Sequence, residues 1–150
     1  MKQSGIEQKI KELLQSQKFA VLATQSDGQP YCNLVAFAET GDCKSIIFAT
    51  SRNTSKYRNL IRDNRVSVLI DNRTNQVSDL GDAMALDLMG NASEITQDNI
   101  GYYGDLFKGK HPALSDFVNT AENALFKVNI CDYIIAHFDS VVKVPVSEFD

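Results

Sequence analysis

The stretch Phe48-Ala49-Thr50-Ser51-Arg52-Asn53-Thr54-Ser55-Lys56-Tyr57-Arg58-Asn59-Leu60 passes from an apolar run, through a short polar segment, into a helical pattern. Ile46 to Thr50 reads as a strand, and a helix starts near Ser55. The segment between them offers Ser51, Asn53, Thr54 and Ser55 as hydroxyl or amide groups, with Arg52 and Lys56 as cations. A helix N-terminus adds unpaired N–H donors and partial positive charge, a combination that suits a phosphate. Lys56 in the first turn is unfavourable for the helix itself, and a bound anion explains it. The competing reading is an ordinary N-cap, with Asn53 or Thr54 capping and Lys56 solvated.

Working outward, the segments before this stretch alternate. Phe19 to Thr24 and Tyr31 to Glu39 read as strands, separated by the turn Ser26-Asp27-Gly28-Gln29-Pro30. In the second strand Tyr31, Asn33, Val35 and Phe37 share one face, and Cys32, Leu34, Ala36 and Ala38 the other. Thr40-Gly41-Asp42 turns the chain into Ser45–Thr50, giving an antiparallel meander. Ahead of it, Ile6, Ile10, Leu13 and Leu14 mark a helix over Ser4–Gln17, with Ser4 and Glu7 in a capping-box pattern.

After the polar segment, Tyr57, Leu60 and Ile61 define the inner face of a helix over Ser55–Asp63. Strands follow at Arg65–Asp71 and Ala83–Ile95, with a polar loop between and Gly90 as a bulge or close-approach point. Thr96 caps a helix to about Phe107, with Ile100, Tyr103, Leu106 and Phe107 turned inward. Pro112 opens a short helix through Val118. Ala124–Phe138 and Val141–Val146 are β segments. Strands joined by tight turns, with helices of unequal placement, point to a mainly β (α+β) fold. The expected form is an antiparallel split β-barrel with flanking helices, in one domain over 1–150.

Composition excludes several functions. The net charge of −4 gives no global attraction for nucleic acid or an anionic membrane, and no apolar run reaches a membrane span. Cys32, Cys43 and Cys131 are odd in number and lack metal-ligand spacing, which points to a reducing, cytoplasmic setting. With only His111 and His137, a multi-histidine metal site is not expected. Asp71, Asp79, Asp82 and Asp87 read as solvated, His111 as a surface residue and His137 as structural. Tyr102, Tyr103 and Phe107 read as a core face at helical spacing.

The order and residues resemble the flavin-binding split-barrel family that includes pyridoxamine 5′-phosphate oxidase. The resemblance centres on Thr50-Ser51-Arg52-Asn53-Thr54-Ser55-Lys56, followed by Asn59-Leu60 and Asp63-Asn64-Arg65-Val66-Ser67-Val68-Leu69-Ile70, and includes the earlier strand Pro30–Phe37. Arg65 stands where that family usually has proline. The resemblance implies that FMN lies across Asn33–Phe37 and Phe48–Thr50, with backbone groups of Leu34, Val35 and Ala36 at the ring edge. It places Ser51, Arg52, Ser55 and Lys56 on the phosphate and Thr50 near the ribityl chain. It implies a homodimer whose flavin spans two chains, which suits an apolar barrel face of Val35, Phe37, Phe48 and Met84 in need of cover; plain core packing is the competing reading of Val35, Phe37 and Phe48.

The family's oxidase carries Trp and Arg in a C-terminal segment that handles its substrate. This chain has no Trp, and 128–150 has no Arg. The expected function is therefore an FMN-dependent oxidoreductase for another small organic molecule, with a nicotinamide cofactor as a candidate electron donor. The alternatives are a haem- or flavin-binding protein without turnover and a cofactor-free dimeric module.

Overall fold

Strand β1 (Phe19–Ser26) and strand β2 (Gln29–Glu39) form the hairpin that the alternation predicts, with Asp27 and Gly28 both at positive φ in its two-residue turn. The computed structural model describes the backbone of residues 3–149 and the side chains of residues 5–149. Helix α1 (Gln3–Ser16) precedes the hairpin, and the capping-box reading of Ser4 falls on a side chain outside the described ones. Then come β3 (Ser45–Ser51), α2 (Ser55–Arg62), β4 (Arg65–Asp71), the short α3 (Asp79–Asp82) and β5 (Ala85–Glu94). Helix α4 (Gln97–Lys110) leads through a 3-10 turn at Pro112–Leu114 into α5 (Ser115–Asn119), and β6 (Asn123–His137) and β7 (Ser140–Pro145) finish the sheet.

All pairings are antiparallel, in the order β3-β2-β1-β4-β5-β6-β7. An additional β3–β6 ladder closes the first six into a barrel and leaves β7 as an outer flap. Closure works because β6 has fifteen residues, enough to pair with β3 early and β7 late while running beside β5 from Phe126 to Ala136. Gly90 is the predicted bulge. The β5–β6 register shifts between Met89 and Gly90, and a Cβ at Gly90 would lie 2.3 Å from the Asn129 carbonyl oxygen. Only glycine permits that approach.

The barrel interior holds Leu22, Val35, Phe37, Phe48, Val68, Leu86, Leu88, Phe126 and Val128, and Ile10, Leu13 and Leu14 of α1 join the same cluster. Phe48 and Phe126 face each other across the β3–β6 ladder and stack at 5.6 Å. Val35, Phe37, Phe48 and Met84 are thus interior packing, not a face that needs covering. A second cluster lies outside the barrel wall, where Phe107, Ile100, Tyr103 and Leu106 of α4 pack on Ala38, Ile47 and Leu125. The expected inner face of α4 is therefore present, and the helix continues three residues beyond Phe107. Among the described residues no helix is long and apolar enough to cross a membrane.

Two further expectations need correction. Ile61 is exposed, not inward. Asn59 takes the inward position beside Leu60 and donates to Thr24 Oγ1 at 3.1 Å. His111 is buried, not a surface residue, and its Nε2 lies 2.7 Å from the Phe37 carbonyl oxygen. The neighbouring Lys110 also turns inward. Its Nζ reaches Glu39 and the Leu14 carbonyl, each at 2.7 Å, and lies 4.1 Å from the centre of the Phe37 ring. Those contacts fasten the end of α4 to β2 and α1.

Candidate functional site

Strand β2 pairs with β1 from Gln29 to Ala36 and with β3 only at Phe37, Ala38 and Glu39. From Gln29 to Ala36 its other edge carries no ladder. This is the split in the barrel, and the backbone groups of Leu34 to Ala36 lie along it. A strand edge left open inside a fold is a ready set of donors and acceptors. Beside it lies a pocket of about 160 Å³ lined by Leu34, Val35, Ala36, Ala49, Lys56 and Phe107, with Leu114 and Phe117 completing the wall.

The loop from β3 to α2 closes one end of the split. Thr54 is the N-cap of α2: its backbone is extended and its Oγ1 accepts from Tyr57 N–H at 3.1 Å. The same hydroxyl donates to the Ser51 carbonyl at 2.9 Å, which tightens the loop. Thr54, not Asn53, therefore caps. The Ser55 and Lys56 N–H groups that follow have no acceptor among the described residues. Lys56 is half-buried in the pocket wall, and no carboxylate or other acceptor contacts its ammonium group among the described residues. Burial pushes that ammonium below the ordinary lysine value. An uncompensated, partly desolvated cation facing open donors is the strongest feature of the site.

The remaining predicted residues divide. Ser55 is exposed at the helix start, with its Oγ accepting from Arg58 at 3.2 Å. Ser51 Oγ accepts from Asn53 N–H, and Thr50 is buried with its Oγ1 3.4 Å from that of Thr54. Asn33 is exposed, opposite Leu22 of β1. Phe48 is fully buried in the core, while Val35 is buried but still lines the pocket. Arg52 is committed elsewhere. Its Nη1 donates to Glu94 at 2.8 Å and to the Tyr57 hydroxyl at 3.2 Å, and its Nε to the Ala121 carbonyl at 3.2 Å. Glu94 holds the Arg52 guanidinium above its ordinary value, and it places a carboxylate close to the loop. Ser55, Lys56 and the helix N–H groups are the least committed donors for an anion, and the Ser51 hydroxyl, which only accepts from Asn53 N–H, keeps its own hydrogen.

Sequence reasoning missed Glu94, Ala49, Leu114 and Phe117. Glu94 lies 42 residues from Arg52, and only barrel closure brings them together. Of the carboxylates read as solvated, Asp79 ties the 74–76 turn through backbone N–H groups, and Asp71 pairs with Arg73 at 3.2 Å. Among the described residues no group of three or more His, Cys, Asp or Glu side chains forms a metal site.

The family profile described as pyridoxamine 5′-phosphate oxidase matches residues 6–119. No curated protein matches the sequence. Among solved structures, the heme binding protein from Mycobacterium smegmatis superposes with a TM-score of 0.82 at 15% identity over 93% of this chain, which spans 57% of that protein. A FAD-binding protein from Mesorhizobium loti has a TM-score of 0.69 at 16% identity, over 85% of this chain and 91% of that one. A Clostridium acetobutylicum protein related to general stress protein 26, of the pyridoxinephosphate oxidase family, gives 0.74 at 11% identity over 99% of both chains. At these identities the likenesses carry the fold, while the profile match covers most of the chain. With the six-stranded barrel split between β2 and β3, it establishes that the chain belongs to the pyridoxamine 5′-phosphate oxidase family.

Proposed function

We propose that the protein binds a flavin in the β2–β3 split, phosphate at the start of α2 and ring against Leu34, Val35 and Ala36, and uses it as an oxidoreductase on a small organic molecule. The observation that carries this reading is Lys56, a half-buried cation with no protein partner among the described residues, beside the unpaired edge of β2. The flavin supplies hydride and one-electron chemistry; the chain supplies position and charge. Lys56 and the Ser55 and Lys56 N–H groups hold the phosphate, and open backbone groups of β2 orient the ring.

A pocket of about 160 Å³ is smaller than the roughly 300 Å³ at which enclosed ligand sites begin. One chain therefore covers only part of a flavin, which supports a homodimer with the ring between two copies. The outer sheet face suits that role. Leu34 lies opposite Val21, and Val21 opposite Leu69, a row with Leu34 71% and Leu69 36% exposed. A nicotinamide cofactor is the proposed electron donor. Pyridoxamine 5′-phosphate is not the proposed substrate, because residues 128–150 hold neither Arg nor Trp to grip its phosphate.

A second reading, haem binding without turnover, is favoured by the likeness to the heme binding protein from Mycobacterium smegmatis. Haem iron needs an axial ligand. Of the two histidines, His111 is engaged with the Phe37 carbonyl, and His137 lies in a cleft with Lys9, Glu12 and Asp82 beside α1. The absorbance spectrum of protein purified without added ligand separates the readings. Flavin bands support the first, a Soret band the second, and a colourless protein that takes up neither cofactor overturns both.

A further inference from the structure

Glu94, the last residue of β5, falls on the same face of its strand as Leu86, Leu88 and Ala92, the face that lines the barrel interior. It ends that row at the rim, opposite Phe126 of β6. A partly buried carboxylate is destabilising there unless it is paired, and both of its oxygens are taken. Oε2 accepts from Arg52 Nη1 at 2.8 Å, and Oε1 accepts from the Tyr57 hydroxyl at 2.9 Å. Arg52 Nη1 also donates to the Tyr57 hydroxyl at 3.2 Å, so the three side chains close a ring of hydrogen bonds.

Tyr57 is held at both ends. Its backbone N–H donates to the Thr54 cap at 3.1 Å, its hydroxyl reaches Glu94, and its ring meets Phe126 edge-on at 5.7 Å. Arg52 is fixed in turn, because its Nε donates to the Ala121 carbonyl and its backbone N–H to the Glu122 carbonyl. An ion pair at a barrel rim needs no ligand to explain it. The place of Tyr57 points further. It follows Lys56 directly, and consecutive side chains leave a helix about 100° apart. With Tyr57 pinned at the rim, the first turn of α2 cannot rotate, and Lys56 is directed into the split beside Ala36, Ala49 and Phe107.

We propose that Glu94 is a positioning residue for the split: through Tyr57 it fixes the rotation of α2 and so holds the Lys56 ammonium where an anion binds. This rests on the phosphate reading of Lys56 and adds the group that keeps that cation in place. Lys56 has no ion-pair partner among the described residues to hold it. A lysine left to wander would lose more rotamer freedom on binding, which weakens the complex. Arg52 belongs to the strut, with its charge balanced by Glu94, and makes no phosphate contact.

The test is titration of the flavin-free full-length protein with FMN and riboflavin, for wild type, Glu94→Ala, Tyr57→Phe, Lys56→Ala, and each of the first two combined with Lys56→Ala. Glu94→Ala should lower FMN affinity about tenfold and Tyr57→Phe, which keeps the ring on Phe126, about threefold, with riboflavin within about twofold. With Lys56 already removed, neither substitution should change FMN affinity by more than about twofold, because groups that act through one contact are not additive. A merely structural ion pair would weaken both ligands alike or neither, and any effect would persist beside Lys56→Ala. Either result overturns the positioning role and leaves the phosphate reading standing. So does a gain in FMN affinity on Glu94→Ala, which would make the released Arg52 a direct phosphate ligand. Should Glu94→Ala not fold, the Tyr57→Phe pair of titrations decides by the same comparison. If Lys56→Ala costs no FMN affinity relative to riboflavin, the phosphate reading fails and the positioning role falls with it.

Discussion

Lys56 concentrates the account at the residue scale. Its ammonium is held below the ordinary value of 10.5 by burial, with no carboxylate among the described residues to offset the loss of water. Between the lowered folded value and 10.5, the unliganded protein binds fewer protons than the unfolded chain. Its destabilising effect is therefore relieved as pH rises through that window. Ligand binding works in the opposite direction. A phosphate stabilises the charged ammonium, so FMN affinity should fall as pH rises through the free-protein lysine value. Riboflavin, which lacks the phosphate, should show no such fall. Parallel titrations from neutral to alkaline pH check this, and identical profiles for the two ligands would remove Lys56 from the site.

Phe48 separates packing from binding at the same scale. It is fully buried and stacked on Phe126, so Phe48→Leu should cost about 1–2 kcal/mol of stability by leaving a cavity. Flavin affinity should be unchanged. Urea unfolding and FMN titration of the same variant test both halves. The sequence leaves Phe48 and Val35 between core packing and flavin contact, because strand alternation does not say that the barrel closes around them. His111 was misread for the same reason. Burial of a lone histidine depends on what folds over it, here the β2 carbonyl at Phe37.

At the scale of elements, the sequence carried most of the outline. Strands β1 to β4 and helix α2 fall within two residues of their expected limits, because short polar turns punctuate clean periodicities. Short α3 was illegible, since four residues give too little periodicity. Helix α4 overran its expected end because Gly109, which reads as a breaker, is followed by Lys110, whose buried contacts hold the last turn. Gly90 was legible and is the sharpest element-level test. A methyl group there meets the Asn129 backbone oxygen, and backbone cannot move aside as a side chain can. Gly90→Ala should lower stability by about 2 kcal/mol or more, the upper part of the range for overpacking. A shifted urea midpoint at constant slope is the expected record. An unchanged midpoint would mean that the β5–β6 bulge is looser than its geometry.

For the whole molecule, barrel closure through β3 and β6 decides which surface remains for a partner. The interior is filled from within, and the exposed apolar row Leu34–Val21–Leu69 lies on the outer face. We propose this row as the contact between two copies, because an exposed apolar patch suits an interaction site. Light scattering at micromolar concentration should give about twice the chain mass. Leu69→Glu, placed in the row but away from the split, should yield monomers with weakened flavin binding. A variant that stays dimeric would locate the interface elsewhere. The split itself was not legible from periodicity, because nothing in residues 29–36 says that the edge facing β3 stays unpaired. It follows from β3 turning away to pair with β6.

The central claim is that the cation at the start of α2 holds the phosphate of a flavin lying in the split. The most direct measurement compares FMN and riboflavin binding in wild type and Lys56→Ala. A charge-assisted contact of about 1.5–3 kcal/mol predicts roughly a tenfold to more than a hundredfold loss of FMN affinity, with riboflavin unaffected. An equal change for both ligands, or none for FMN, would contradict the account.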